Sequence, residues 1–438
     1  MTYSTNVPRD PYGYFLTTSH EAAGAYSRGL VKVLRLESGA LPALAASIAH
    51  DPTFALGHAA LALLGHELCA EVDIAARLRD AALHAPRSSE RERSHVHAVA
   101  RHLAGDSRPL VSHLMAYPLD ALLLSAAVPT IAFAGVTEVP EEAWTIVERA
   151  IPAYGDDWWF TGLLAFVRQE QRRFDEAMQL SCRSLALEPG AGHSAHARAH
   201  AHYETGDHLA GLAWMDRWVT GAGASVDSLS HFAWHAALHE LSLGDLDAVR
   251  RRYDAQLRPE HGLGCRALVD TGSLLFRWAL TPGAQDVPGL EQVAALAGRD
   301  VLERPATPFL AMHGAVALLA IGDREGLARL GSWAAAHDHP TQREVVAPLA
   351  RALGLLCAGQ YSLAADALAA LAGPSRRLGG SDAQRELLEE TRIAALVRAD
   401  RLDEARHVLD ARLDLRHSPR DRRWREAATS PLTEALRA

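Results

Sequence analysis

Through the second half of the chain, apolar residues recur three and four positions apart in short stretches. Each stretch closes on a Gly- or Asp-containing turn and is followed by a second one of the same period. The segments HYETGDHLAGLAWMDRW, ELSLGDLDAVRRRYD, LLAIGDREGLARLGSW, LLCAGQYSLAADALAAL and LVRADRLDEARHVLDARL all read this way. Each predicts a helix that stops at the turn and a second, amphipathic helix that folds back on it. No run alternates apolar and polar residues at strand length between hairpin turns, so the pattern predicts helices throughout.

Residues 160–190 give the clearest unit. Leu164 and Ala165 take close-packing positions of a first helix, Phe174 marks the turn, Ala177 and Ser184 are small enough to let the second helix nestle, and Pro189 stops it. This is the ~34-residue helix–turn–helix spacing of a tetratricopeptide repeat. The spacing between later turns varies, so the repeats are degenerate. In the N-terminal third, Asp51-Pro52 ends one such unit before FALGHAALALLG, and Ser88 or Ser89 caps a helix that opens at RERSHV. Residues 221–227 and 281–288 read as inter-helix loops, and the Gly/Ser-rich stretch 373–381 as a longer, functional one. The expected fold is all-α: a right-handed α-solenoid, or superhelix, of degenerate tetratricopeptide-like helix pairs forming one continuous domain over 1–438. An irregular helical part covers 1–155, the repeats 156–415, and a cap or tail around Trp424 covers 416–438.

Composition narrows the function. At 438 residues, 48% hydrophobic and 22% charged, the chain is too apolar to be disordered. A net charge of −9 without a Lys/Arg stripe argues against nucleic acid, and no apolar run is long enough to span a membrane. The opening MTYSTNVPRDPYGYF lacks the basic and apolar regions of a signal peptide. Cys69, Cys182, Cys265 and Cys357 lie far apart with no CxxC, which fits a reduced, cytoplasmic setting. The composition holds 23 histidines, which helix formation does not require. His84, His261, His337 and His417 fall in expected loops or on surface faces.

The others are patterned. His196, His200 and Glu204 stand at i, i+4 and i+8, with His193 on the same side, and the next first helix carries His231, His235 and His239 at the same spacing. First helices of stacked pairs line the concave face, so two adjacent inner helices would present His196, His200, His231 and His235 together. Four imidazoles suit a transition metal, and neutral imidazole also suits proton transfer; the plainer reading is that they hydrogen-bond one another. Later inner helices add Asp270, Ser273 and Arg277 along one stripe, then His313, then Gln384 and Arg385, while His58 interrupts an apolar helix near the N-terminus. The plain structural reading of Asp270 and Arg277 is an ion pair with each other; the alternative is recognition, with Arg277 holding an anionic group. No HExxH, P-loop, GxGxxG or GxSxG stands in a fitting context.

These stretches resemble the tetratricopeptide repeat protein 38 family over essentially the whole chain. The resemblance is carried by DPTFALGHA around His58, RERSHVHAVARHLAGD around His95, HSAHARAHAHYETGD, SHFAWHAALHELSLGD, VDTGSLLFR, PFLAMHGAVALL and LGGSDAQRELLEET. It implies an all-helical superhelix, cytoplasmic in bacteria, with polar signatures on inner helices and no assigned general activity. Two functions are then expected to compete. The first is an interior pocket that binds a small molecule and transforms it by acid–base chemistry, with or without a metal. There His200 or His235 would be the base, Asp270 would orient it, and His58, His196, His231, Arg277, His313, Gln384 and Arg385 would bind. The second is a scaffold that takes a peptide or partner helix in an open concave groove.

Overall fold

The computed structural model describes residues 7–130, 135, 140–221, 225–262 and 265–428. Helices pair from the start. Helix α1 (His20–Arg35) packs on α2 (Ala40–His50), α3 (Ala55–Glu67) on α4 (Ile74–His84), and α5 (Glu90–Leu103) on α6 (Arg108–Ala116), followed by α7 (Ala121–Ala127) and α8 (Pro140–Tyr154). The expected repeat unit is α9 (Trp158–Glu170) with α10 (Phe174–Leu187). Then come α11 (Gly192–Glu204), α12 (His208–Thr220), α13 (Val226–Leu243) and α14 (Leu246–Arg252). A π-helical stretch, Ala267–Gly272, runs directly into α15 (Ser273–Ala279). The chain continues through α16 (Glu291–Glu303), α17 (Pro308–Ala320), α18 (Arg324–Ala336), α19 (Ala347–Cys357), α20 (Tyr361–Ala370), α21 (Asp382–Arg398), α22 (Leu402–Leu415) and α23 (Pro419–Ala427). Among the described residues the only β-feature is an isolated bridge between Arg9 and Phe15. The fold is an all-α array of helix pairs.

Local chemistry sets the boundaries. Ser89 caps α5 in a reciprocal box with Glu92, whose carboxylate also accepts from the Thr17 backbone N–H at 2.9 Å and so anchors the N-terminal arm. Gly244 ends α13 at φ +75°, a conformation side chains with a Cβ resist. Residues 222–224 of the expected loop 221–227 lie outside the described residues. The stretch 373–381 is compact: a 3-10 turn, Pro374–Leu378, leads to Gly380, where a Cβ would lie 2.4 Å from the Phe309 ring.

Apolar side chains gather in two large cores. One joins α1 through α9 and reaches Ala197 on α11; the other begins at Tyr203 on the same helix and runs to Ala428. Helix α11 is therefore the seam. Its alternating alanines, with Ala195, Ala197, Ala199 and Ala201 all buried, let α1, α9, α10, α12, α13 and α21 approach it. The array also curls onto itself, because α21 packs against α11 and α15, and α23 against α13. The C-terminal helices thus return onto α11, α13 and α15.

Candidate functional site

Four imidazoles meet at the seam between α11 and α13. His196 Nε2 lies 2.9 Å from His200 Nε2 and 3.1 Å from His231 Nε2. The His235 ring centroid is 4.9, 4.5 and 4.8 Å from those of His196, His200 and His231. His196, His231 and His235 each offer a ring nitrogen within 4.8 Å of the other two. Phe166 of α9 stacks on His196 at 5.4 Å and Trp234 stacks on His231 at 5.4 Å, so aromatic faces fix both rings.

Asp270 sets the protonation pattern. Its Oδ1 lies 2.7 Å from His231 Nδ1, with Ser230 Oγ at 3.4 Å from Oδ2. The carboxylate therefore accepts the Nδ1 proton and leaves the His231 Nε2 lone pair aimed at His196. Burial pushes the Asp270 carboxyl up, but His231 outweighs it and the pKa ends below the ordinary carboxylate value. Burial, reinforced by the neighbouring rings, pushes His196 and His235 well below the usual imidazole range and takes His200 to about 3. All four rings are at most 4% exposed. His196 Nδ1, His200 Nδ1 and both His235 nitrogens are buried without a hydrogen-bond partner.

The remaining expected site residues divide. His313 on α17 is buried beside this centre, held down to about 3 by burial while Asp270 favours its charged form. Arg277 does not pair with Asp270. It donates to the Ala383 carbonyl and, at 3.2 Å, to Glu390 of α21. Gln384 completes a reciprocal cap with Ser381 at the start of α21, and Arg385 bonds Asp382 and, at 3.2 Å, Glu170. Both hold α21 in place; Gln384 makes no contact with the four rings, while the Arg385 charge helps keep His200 neutral. Ser381→Ala is expected to cost about 1 kcal/mol of stability, read by urea unfolding, because it removes the hydroxyl that caps α21 and leaves the Gln384 N–H only the Ser381 carbonyl. His58 is farther off still. It accepts from Arg77 at 3.0 Å, its Nε2 donates to the Pro52 carbonyl at 2.9 Å, and it ties α3 to α4.

Other polar residues emerge only in three dimensions. Glu390 sits under Arg277, Arg412 and Arg420, and Glu386 accepts from Arg416 and from the Tyr203 hydroxyl at 2.9 Å. The i, i+4 spacing of Glu386 and Glu390 was a signal available in the sequence. In the N-terminal half, Asp120 Oδ2 takes His95 at 2.8 Å, His113 at 3.2 Å and Arg91 at 2.9 Å, and His95 Nε2 is buried without a hydrogen-bond partner. Glu204, one turn beyond His200, opens on a cavity of about 270 Å³ shared with Gln169, Arg385, Glu386 and Arg416.

No helix of the described residues is long and apolar enough to cross a membrane. No family model matches the chain. Among solved structures the chain is similar to the yeast Tom70 crystal structure, at 14% identity over 93% of this chain and 87% of that one, with a TM-score of 0.35. A likeness at that score adds nothing to what the helix pairs themselves show: this is an all-helical repeat protein.

Proposed function

We propose that the chain binds one divalent transition-metal ion between α11 and α13 and, through it, a small molecule. His196, His231 and His235 are the ligands, and His200 stands at the fourth position. The observation that carries this reading is the convergence of three ring nitrogens within 4.8 Å, one of them oriented by a buried carboxylate. A carboxylate on the far nitrogen of a ligating histidine is the usual way such a ring is fixed and made more basic. Rings that stay neutral far below pH 7 offer lone pairs to an ion without first losing protons. The same depression makes His200 and His235 poor general bases at neutral pH, which favours a metal over metal-free acid–base work. Bound there, a metal would act as a Lewis acid on an oxygen or nitrogen of the small molecule. The cavity at Glu204 lies one helical turn along α11 from His200.

Membership of the tetratricopeptide repeat protein 38 family belongs to this proposal, as does a cytoplasmic location, which suits four free thiols. Of the residues in its signatures, His196, His231, His235, Asp270 and His313 gather around one centre. The scaffold reading needs an open concave groove, whereas the inner residues His196, His200, His231, His235, Asp270 and His313 are buried, and α21 and α23 pack on α11, α13 and α15.

Untagged protein stripped with a chelator should take up one equivalent of Co(II), with a visible ligand-field spectrum. His196→Ala/His235→Ala should remove the uptake while the far-UV helical signal persists. Asp270→Asn should weaken affinity ~10–100-fold, because the neutral amide accepts from His231 Nδ1 more weakly than the carboxylate and no longer makes the ring more basic. Undiminished uptake by the double variant would sink the proposal.

A further inference from the structure

The cavity of about 270 Å³ at Glu204 is walled by the turn between α9 and α10, the end of α20 and the N-terminal half of α21. Its acidic groups are already matched. Glu204 accepts from Arg416 at 3.0 Å and Glu389 from Arg412 at 2.9 Å, while Asp382 accepts from Arg385 and Glu386 from Arg416. Two guanidiniums on the wall are left over. The side chains of Arg172 and Arg392 make no hydrogen bond or ion pair with the described residues, and Arg392 Nε is buried without a partner.

The backbone keeps one of these arginines at a cost. Arg172 holds φ +62° in the turn after α9, where the turns after α11, α13, α17 and α19 carry Gly206, Gly244, Gly322 and Gly359 at φ +70° to +75°. Glycine adopts this left-handed conformation freely and arginine does not, so a side chain persists here against the local preference, and it lines the cavity. The buried Leu368, Leu371 and Leu388 give the same cavity an apolar side, with Phe174 at its edge. Ser375 and Arg376 bring the Gly/Ser-rich stretch 373–381 to its wall.

We propose that this cavity binds a small carboxylate with an apolar body, the carboxylate between Arg172 and Arg392 and the hydrocarbon against Leu368, Leu371 and Leu388. Guanidinium forks match a carboxylate with paired, charge-assisted hydrogen bonds. The leucines gain by covering hydrocarbon that would otherwise face water. Glu204 Oε1 is buried without a partner, and burial raises that carboxyl to about 8, so at neutral pH it holds a proton to donate to a ligand oxygen. A single negative charge suits the site better than the double charge of a phosphate, because Asp382, Glu386 and Glu389 share the wall. The site stands without the ion proposed between α11 and α13 and is tested without it.

Isothermal titration calorimetry of chelator-stripped, full-length protein with octanoate provides the test. Octanoate should bind at one equivalent. Octanamide, which lacks the charge, and acetate, which lacks the hydrocarbon, should each bind at least about tenfold more weakly. Arg172→Ala/Arg392→Ala should weaken octanoate at least about tenfold with the far-UV helical signal unchanged, since neither side chain holds another residue in place. Absent binding to the wild type, or equal octanoate affinity in the folded double variant, overturns the proposal. Octanamide, acetate or inorganic phosphate binding as tightly as octanoate overturns it as well. If the double variant does not fold, the comparison of these four probes on the wild-type chain decides.

Discussion

Glu390→Gln is expected to lower the unfolding free energy by about 3–5 kcal/mol. Glu390 is 0% exposed and receives Arg420 at 2.8 and 3.0 Å, Arg277 at 3.2 Å and Arg412 at 3.4 Å. Burial works against its ionisation, but Arg420 and Arg277 overcome that and hold it far below the ordinary carboxylate range. The amide keeps the shape and removes the charge, leaving buried guanidiniums from α15, α22 and α23 undercompensated. Glu389→Gln is the control. Glu389 is 46% exposed and bonds Arg412 from the rim, so its loss is expected to stay within about 1 kcal/mol. Urea unfolding at pH 7 followed by circular dichroism checks both; equal effects would mean that the cluster does not hold the C-terminal helices.

Mild acid is the second large perturbation. An unfolded histidine takes up its proton near pH ~6.5. Burial keeps His193 and His208 neutral to about 4 and His200 and His313 to about 3, and also depresses His196, His235 and His239. Below ~6.5 the unfolded chain therefore binds more protons than the folded one, and stability falls as pH falls. Five carboxyls act in the opposite sense: burial raises Asp10 to about 6, Glu170 to about 7 and Glu204 to about 8, and lifts Asp157 and Glu240 as well. Burial also depresses His58, His66, His95, His202 and His339, so the histidines outnumber the carboxyls and the net loss is on the order of several kcal/mol per pH unit between pH ~6.5 and ~4.5. Carboxylates with depressed values, such as Glu390, add their own loss only at lower pH, as they finally protonate. Thermal unfolding of metal-free protein should show Tm dropping steeply from pH 7 to 5. A flat profile would mean that these rings are not buried as neutral groups.

What the sequence made legible follows from the range of each interaction. The helix pairs were readable because turn residues and apolar periodicity are local, and the paired imidazoles because i, i+4 fixes a helix face whatever packs on it. Asp270 was not placed correctly for a specific reason. A straight α-helix would set it near Arg277, but Ala267–Gly272 is π-helical, and the wider turn swings Asp270 toward His231 while Arg277 faces α21. Gln384 and Arg385 read as site residues because a cap and an ion pair between distant helices use the same side chains as ligand binding. The packing of α21 on α11 and α15 and the Glu390 cluster depend on how the array curls, which no local pattern encodes.

The C-terminal helices also impose an order on biosynthesis. His196, His231, His235 and Asp270 all leave the ribosome more than a hundred residues before α21 begins at Asp382. At about 5–20 residues per second, the four groups exist for roughly six to forty seconds before the first residue of α21 is made. The contacts of α21 with α11 and α15, and of α23 with α13, are therefore the last to form on these helices.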